Sequence, residues 1–151
     1  MPRLACGVLL AALFWAQAVA GWAAQAAGTE LELVFAGELS PARRAGVVRA
    51  APGVRMGLEL APRGLAKGAQ QVLDVRLRRP GAPEGADTAW AVLATGGQNV
   101  LCVYEFAYPW EVDPGEWVMS VYSGGVLLVR GVLAVEQGPA LAEVRTEAKG
   151  E

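Results

Sequence analysis

Histidine is absent from the sequence. This absence removes the residue that most often serves as a general base and as a zinc ligand. Charged residues make up only 19% of the 151 positions and apolar residues make up 54%, so the composition is too hydrophobic for a disordered chain. The net charge of −2 provides no basic surface for nucleic acid or for an anionic membrane.

Cysteine and serine, the usual nucleophiles, are also scarce. Two cysteines, Cys6 and Cys102, are too few for a disulfide framework. The three serines are Ser40, Ser120 and Ser123, and none lies in a Gly-x-Ser-x-Gly motif or beside a histidine that could activate it. Apolar and aromatic neighbours predict that Cys102 is an inert buried thiol rather than a reactive thiolate. We therefore expect no enzyme activity, no catalytic residues, and no cofactor or metal.

Residues 1–20 have the pattern of a secretory signal peptide. Arg3 precedes an apolar run, and Ala18-Val19-Ala20 supplies small residues for cleavage before Gly21. Ala24-Gln25-Ala26 is a second candidate, with cleavage before Ala27. A retained transmembrane anchor is the alternative, because Leu4–Ala20 is close to the lower length limit for a membrane span. The small residues at the end of the run favour cleavage. We therefore expect a periplasmic or secreted protein with no membrane span after cleavage.

Apolar residues after Gly28 recur at every second position in short runs, as expected for half-buried β-strands. Segments containing Pro and Gly separate the runs, and no long helix is indicated. The seven runs are 31–35, 54–60, 73–77, 88–94, 99–107, 117–121 and 126–135. This pattern predicts an all-β, antiparallel immunoglobulin-like β-sandwich of about seven strands over residues 29–137, followed by a flexible tail at 138–151.

The composition of individual runs predicts where they lie in the sandwich. Runs 88–94 and 99–107 are evenly apolar, which predicts central strands or strands packed on both faces. Residues 36–50 contain three arginines and a proline, and they fit either a long crossover or an extra edge strand. Trp117, Met119 and Val121 alternate with Glu116, Val118, Ser120 and Tyr122, so Trp117 is expected to face the core.

Turns and irregularities can be predicted at three places near the end of the domain. Asp113-Pro114-Gly115-Glu116 fits a type II turn, with Gly115 at positive φ. Gly124-Gly125 lies between two closely spaced apolar runs and fits a tight hairpin. The apolar face of the last run changes near Gly131, which predicts a β-bulge there.

Several segments share a pattern with a bacterial protein family. They are Asp113-Pro114-Gly115-Glu116-Trp117, Ser123-Gly124-Gly125, Leu133-Ala134-Val135, Gly53-Val54-Arg55-Met56-Gly57-Leu58 and Tyr104-Glu105-Phe106. The chain resembles the domain-of-unknown-function family 3859 over residues 31–135, although Met56 and Leu133 stand where that family usually has an aromatic residue. The resemblance implies an immunoglobulin-like fold, and it implies no catalytic residues and no established function.

Aromatic and acidic residues are concentrated between Tyr108 and Glu116. With Trp90, the residues Tyr108, Trp110 and Glu111 are the predicted partner contacts of a non-catalytic exported interaction module, because exposed aromatic residues anchor interfaces. The partner would be a protein or a glycan. An alternative is a carbohydrate-binding or carbohydrate-active domain that uses Tyr108–Glu116, since paired carboxylates beside aromatic rings suit sugars. Three further interpretations stay open. The segment could bind a metal, its acids could merely flank solvated turns, or the protein could have a structural role in the cell envelope.

Arg76, Arg78 and Arg79 form the one basic stretch. On a strand, Arg76 and Arg78 share the face opposite Leu73, Val75 and Leu77. Such a pair suits either a solvated sheet face or a contact with an anion.

Overall fold

Two β-sheets packed face to face form residues 29–137, the part of the chain that the computed structural model describes. The predicted signal peptide at 1–20 and the predicted tail at 138–151 lie outside these residues. The strands are β1 (Glu30–Ser40), β2 (Arg43–Ala45), β3 (Val47–Ala50), β4 (Arg55–Arg63), β5 (Gln70–Arg78), β6 (Thr88–Thr95), β7 (Val100–Glu105), β8 (Gly115–Ser123) and β9 (Val126–Gln137). A short 3₁₀ turn, Pro109–Glu111, lies between β7 and β8.

One sheet has the strand order β2-β1-β4-β7, and the other has the order β3-β9-β8-β5-β6. Within residues 29–137 there are seven pairs of neighbouring strands. Six of them are antiparallel, and the seventh, β3 with β9, is parallel. The predicted all-β sandwich is therefore confirmed. It contains nine strands rather than about seven, because residues 36–50 add the short strands β2 and β3.

The core lies between the two sheets and is built from the alternating apolar residues. The side chains that are at most 3% exposed in β4, β5, β8 and β9 are Met56, Leu58, Leu60, Leu73, Val75, Leu77, Trp117, Met119, Val121, Leu133 and Val135. Burying each side chain of this size contributes about 1.5–3 kcal/mol before conformational entropy is subtracted. The predicted inward faces of these strands are thus confirmed.

A buried ion pair explains the path of residues 36–50. Glu38 is fully buried near the end of β1, and its carboxylate accepts hydrogen bonds from the backbone amide of Arg49 at 3.1 Å and from its guanidinium at 2.5 Å. Arg43 lies 3.5 Å away on the same carboxylate. Because Arg43 and Arg49 lie on β2 and β3, one carboxylate connects the strands through which the chain passes from the first sheet to the second.

The two evenly apolar runs form edge strands, not central ones. Strand β6 ends one sheet and β7 ends the other, and their outward residues Leu93 and Leu101 are about half exposed, at 51% and 53%. The prediction of central strands, or of strands packed on both faces, was therefore wrong. It relied on uniformly apolar sequence, but an edge strand can also carry apolar side chains on its solvent face.

The β-bulge in β9 lies at Leu128 rather than at Gly131. Val121 pairs with Val129 and Tyr122 pairs with Leu127, which leaves Leu128 as the extra residue. Gly131 lacks a side chain for a different reason, since a Cβ there would lie 2.5 Å from Cδ2 of Leu58 in the opposite sheet.

The two predicted turns differ in outcome. Gly124 and Gly125 have φ values of +55° and +82° and connect the paired residues Ser123 and Val126, so the tight hairpin is confirmed. Gly115 has positive φ as predicted, but its value of +133° departs from the roughly +80° of a type II turn. Gly115 instead begins β8.

Candidate functional site

The connection between β7 and β8 presents two stacked aromatic rings to solvent. The ring centroids of Tyr108 and Trp110 are 4.6 Å apart, and the ring planes differ by only 4°. Trp110 is 72% exposed and Tyr108 is 51% exposed. We call this pair, Tyr108 and Trp110, the aromatic platform.

The carboxylate of Glu111 organises the backbone beneath the aromatic platform. Its Oε2 atom accepts hydrogen bonds from the backbone amides of Ala107 at 2.8 Å and Tyr108 at 3.0 Å. These bonds close the loop around the 3₁₀ turn. Glu111 therefore lies where the sequence predicted a contact residue, and its hydrogen bonds in this structure hold the loop.

A second set of contacts ties the platform to the core. The guanidinium of Arg79 donates a hydrogen bond of 3.2 Å to the carbonyl oxygen of Trp110 and lies 3.4 Å from the carboxylate of Asp113. The same guanidinium lies over the ring of Trp117, 5.5 Å from its centroid. Trp117 in turn donates from Nε1 to the carbonyl oxygen of Asp113 at 2.8 Å. The platform is thus connected through Arg79 and Asp113 to the largest buried side chain.

Trp90, the fourth predicted contact residue, occupies a different environment. It is half-buried on β6, and its ring centroid lies 6.2 Å from that of Tyr104. Tyr104 also packs against Phe106 and Trp117, so these four rings form an aromatic cluster at the core. Burial raises the pKa of Tyr104, and the negative charge of Glu111 raises it further. Trp90 is therefore less accessible than the aromatic platform.

Three of the four acidic residues of the predicted patch have contacts of their own. The four are Glu105, Glu111, Asp113 and Glu116. Glu105 pairs with Arg55 at 2.7 Å, and Asp113 pairs with Arg79. Within residues 29–137, no three His, Cys, Asp or Glu side chains are grouped as metal ligands would be.

The side chains that could act as nucleophiles are buried or hydrogen-bonded. Cys102 is fully buried, and burial raises the pKa of its thiol to about 12, as expected for an inert core residue. The three serine hydroxyls accept hydrogen bonds from the Arg55 backbone amide to Ser40, from the Arg130 guanidinium to Ser120, and from the Gln71 side chain to Ser123. None of these donors is a base that could activate a hydroxyl.

Two clefts lie on the outer faces of the sandwich, away from the aromatic platform. A shallow cleft of about 490 Å³ includes Arg44, Glu59 and Leu101 on the four-stranded sheet. A narrower cleft of about 180 Å³ includes Arg76 and Arg130 on the five-stranded sheet. Neither cleft is lined by Tyr108 or Trp110. The sequence indicated Arg76 through its basic neighbours but gave no sign of Arg130, which lies 54 positions later on β9.

The chain matches no family model and no curated protein. Among solved structures it is similar to an immunoglobulin-like protein from Pseudomonas aeruginosa, with a TM-score of 0.52 and 24% sequence identity over 73% of this chain and 99% of the other. This likeness confirms the predicted immunoglobulin-like fold. The resemblance to family 3859 is not confirmed by it and stays a prediction.

Similarity at a lower level is found to β-glucosidases from Kluyveromyces marxianus and Listeria innocua. Their TM-scores are 0.40, with 13% and 12% identity. The matches extend over 73% and 74% of this chain but only 14% and 16% of the enzymes. Likeness at this level carries no argument about activity.

In residues 29–137, no helix has the length and apolar character needed to cross a membrane.

Proposed function

We propose that this protein is a non-catalytic interaction module that binds a protein partner through the aromatic platform of Tyr108 and Trp110. The observation that carries the proposal is a 72% exposed tryptophan held on an ordered loop. Tryptophan and tyrosine dominate the binding energy of protein interfaces. Loops at the edge of a rigid sandwich are also where such domains commonly bind.

The order of the loop supports this function because it lowers the cost of binding. Glu111 fixes the backbone on one side of Trp110, and Arg79 holds the Trp110 carbonyl on the other. A partner that covered the platform would not need to order a mobile segment first, and immobilising a flexible side chain costs about 0.5–1.5 kcal/mol. Less of the gain from burying the two rings would therefore be offset by ordering the loop.

A protein partner fits the platform better than a sugar does. Small-molecule sites are usually concave, whereas the platform lines neither cleft described above. One face of the Trp110 ring is already covered by Tyr108. The carboxylates of Glu111 and Asp113 are bound to the loop amides and to Arg79, which leaves them poorly placed for acid–base catalysis on a glycan.

Capture of partners from the envelope fraction of native cells tests the proposal. Wild-type protein, Trp110→Ala and the control Leu93→Ala are immobilised at equal density, and bound proteins are identified by mass spectrometry. Leu93 is also exposed and apolar, at 51%, but it lies on β6 away from the loop. We expect one protein to be retained by wild type and by Leu93→Ala and lost with Trp110→Ala. Equal retention by all three forms would refute binding through the aromatic platform. Loss of retention after glycosidase treatment of the envelope fraction would favour the carbohydrate alternative.

We also propose that the protein is exported, that its export signal ends at Ala20, and that its likeness to family 3859 reflects common descent. The support is the signal pattern in residues 1–20 and the motifs that the chain shares with that family. Mass spectrometry of protein recovered from the envelope should find Gly21 at the N-terminus, with Ala27 as the less favoured start. An intact Met1 on exported protein would instead support the membrane anchor.

The absence of catalysis is likewise part of the proposal, and it has its own test. We expect neither a fluorophosphonate nor an iodoacetamide probe to label the native protein rapidly, since no described serine or cysteine is activated. Fast stoichiometric labelling of one residue would overturn this expectation.

A further inference from the structure

The outer face of the five-stranded sheet gathers three arginines around one buried hydroxyl. Arg76 and Arg78 extend from β5 and Arg130 extends from β9, and all three line the 180 Å³ cleft. Between them, Ser120 of β8 is only 6% exposed. Pairing places Arg76 opposite Ser120 and Ser120 opposite Arg130, so the two arginines lie on either side of the serine in one row across the sheet.

Asp87 and Glu84 act on Arg78, and Asp74 lies two residues before Arg76 on the same exposed face of β5 without forming an ion pair with it. Asp87 accepts two hydrogen bonds from the Arg78 guanidinium, at 2.8 and 3.4 Å. These bonds raise the pKa of Arg78, and the negative charges of Asp87 and Glu84 raise it further. Arg76 acts on Asp87 through its charge alone. Within residues 29–137, neither Arg76 nor Arg130 has a carboxylate within 4 Å. Two positive charges on this face therefore lack a paired anion.

The hydroxyl and both guanidinium groups are oriented toward a shared space. Arg130 donates from Nε to the Ser120 oxygen at 3.2 Å, which leaves the serine hydrogen free to be donated to a further acceptor. The Arg76 guanidinium lies 4.8 Å above the ring of Tyr122, and this cation–π contact restrains it. Neighbouring strands are about 4.8 Å apart, so the two arginine backbones are about 10 Å apart, within reach of one ion between them.

We propose that this cleft binds a small oxyanion, a carboxylate, phosphate or sulfate group, between Arg76 and Arg130. The Ser120 hydroxyl would donate a third hydrogen bond, and the Arg78–Asp87 pair would form one wall. Two guanidinium groups without an ion-pair partner attract an anion, and their charge-assisted hydrogen bonds to an oxyanion are stronger than neutral ones. This site is separate from the aromatic platform and does not depend on the proposed function.

Titration of the full-length protein with inorganic phosphate, sulfate and acetate tests the site. Ionic strength is held constant with chloride, and binding is followed by calorimetry and by backbone amide NMR shifts. We expect saturable binding, with the largest shifts in β5, β8 and β9 around Ser120. Saturation by acetate alone would identify a carboxylate as the ligand group, whereas saturation by phosphate and sulfate would identify a phosphate or sulfate ester.

Variants distinguish a specific anion site from nonspecific attraction of anions to positive charge. Arg130→Gln and Arg76→Gln should each weaken binding at least ~10-fold, which corresponds to the loss of one charge-assisted hydrogen bond. The matched control is Arg63→Gln, which removes the same charge from an exposed arginine paired with Glu32 on the other sheet. Thermal unfolding without anion verifies that each variant is folded, and Ser120→Ala serves as a third variant should an arginine variant not fold. Absence of saturable binding by the wild type, or equal weakening in Arg63→Gln, would overturn the proposal.

Discussion

Leu58 of β4 packs against the bare backbone of Gly131 in β9, and this contact joins the two sheets at the centre of the core. A Cβ atom on Gly131 would lie 2.5 Å from Cδ2 and 3.2 Å from Cδ1 of Leu58. The backbone of Gly131 does not have positive φ, so it could accept another residue if the leucine were not there. The glycine is therefore required by packing and not by backbone conformation.

Gly131→Ala should destabilise the protein by about 1–3 kcal/mol, the usual cost of overpacking a core. The measurement is the free energy of unfolding from urea melts. Gly46→Ala is the matched control, because Gly46 lacks positive φ and a Cβ there would meet nothing within 4 Å. Equal stability of Gly131→Ala and Gly46→Ala would show that Leu58 moves aside without cost.

The fold was predictable where one side of a strand faces the core. Alternation placed Trp117 and Leu133 inward without knowledge of their partners, because the side-chain period of a strand is two. Residues 36–50 were not predictable, since the buried carboxylate of Glu38 is paired with arginines that the chain brings back to it. The edge positions of β6 and β7 were missed for a related reason, because exposed leucines such as Leu93 resemble buried ones in sequence.

The candidate site was predictable only in part. The concentration of aromatic and acidic residues between Tyr108 and Glu116 predicted exposed contact residues, and Tyr108 and Trp110 are exposed. The link between Trp110 and Arg79 depends on tertiary structure, since the two residues are 31 positions apart in sequence. No sequence pattern pairs residues at that separation.

Trp117→Ala and Trp110→Ala should differ sharply in their effect on stability. Trp117 is 1% exposed and bonded to Asp113, so its truncation should cost about 3–5 kcal/mol of a total near 5–15 kcal/mol. Trp110 is largely exposed, so its truncation should change stability by about 0.5 kcal/mol or less. Urea melts of both variants measure the difference. A similar loss in both would mean that Trp110 supports the fold, and the binding proposal would then lose its basis.

Cys102 should not react with a thiol reagent while the protein is folded. The side chain is fully buried, and burial raises the pKa of the thiol to about 12, so almost no thiolate exists at pH 8. We expect a protein that begins at Gly21 to react with Ellman's reagent only after denaturation, and then with one equivalent. Reaction at the rate of a free thiol in native buffer would show that β7 opens readily.

Glu38 should make stability depend on pH in the acidic range. Burial alone raises the pKa of Glu38, but hydrogen bonds from Arg49 and the charges of Arg49 and Arg43 outweigh it, so the pKa lies below its usual 4.5. A carboxylate with a lowered folded-state pKa contributes its full stability above the unfolded pKa and loses it as pH falls through the folded one. The ion pair should therefore weaken progressively below about pH 4.5.

Glu38→Gln separates this residue from the other acids. At pH 7 we expect a loss of about 1–3 kcal/mol, as for a buried hydrogen-bonded group that loses its partner. Between pH 7 and pH 3 the variant should lose less stability than wild type, because the introduced amide does not titrate. Glu59 and Asp87 also have lowered pKa values, and their protonation lowers the stability of both proteins alike. Glu32→Gln, which breaks an exposed pair with Arg63, is the control and should follow the wild-type pH profile closely. Parallel profiles for Glu38→Gln and wild type would show that the buried carboxylate is not the acid-sensitive connection between the sheets.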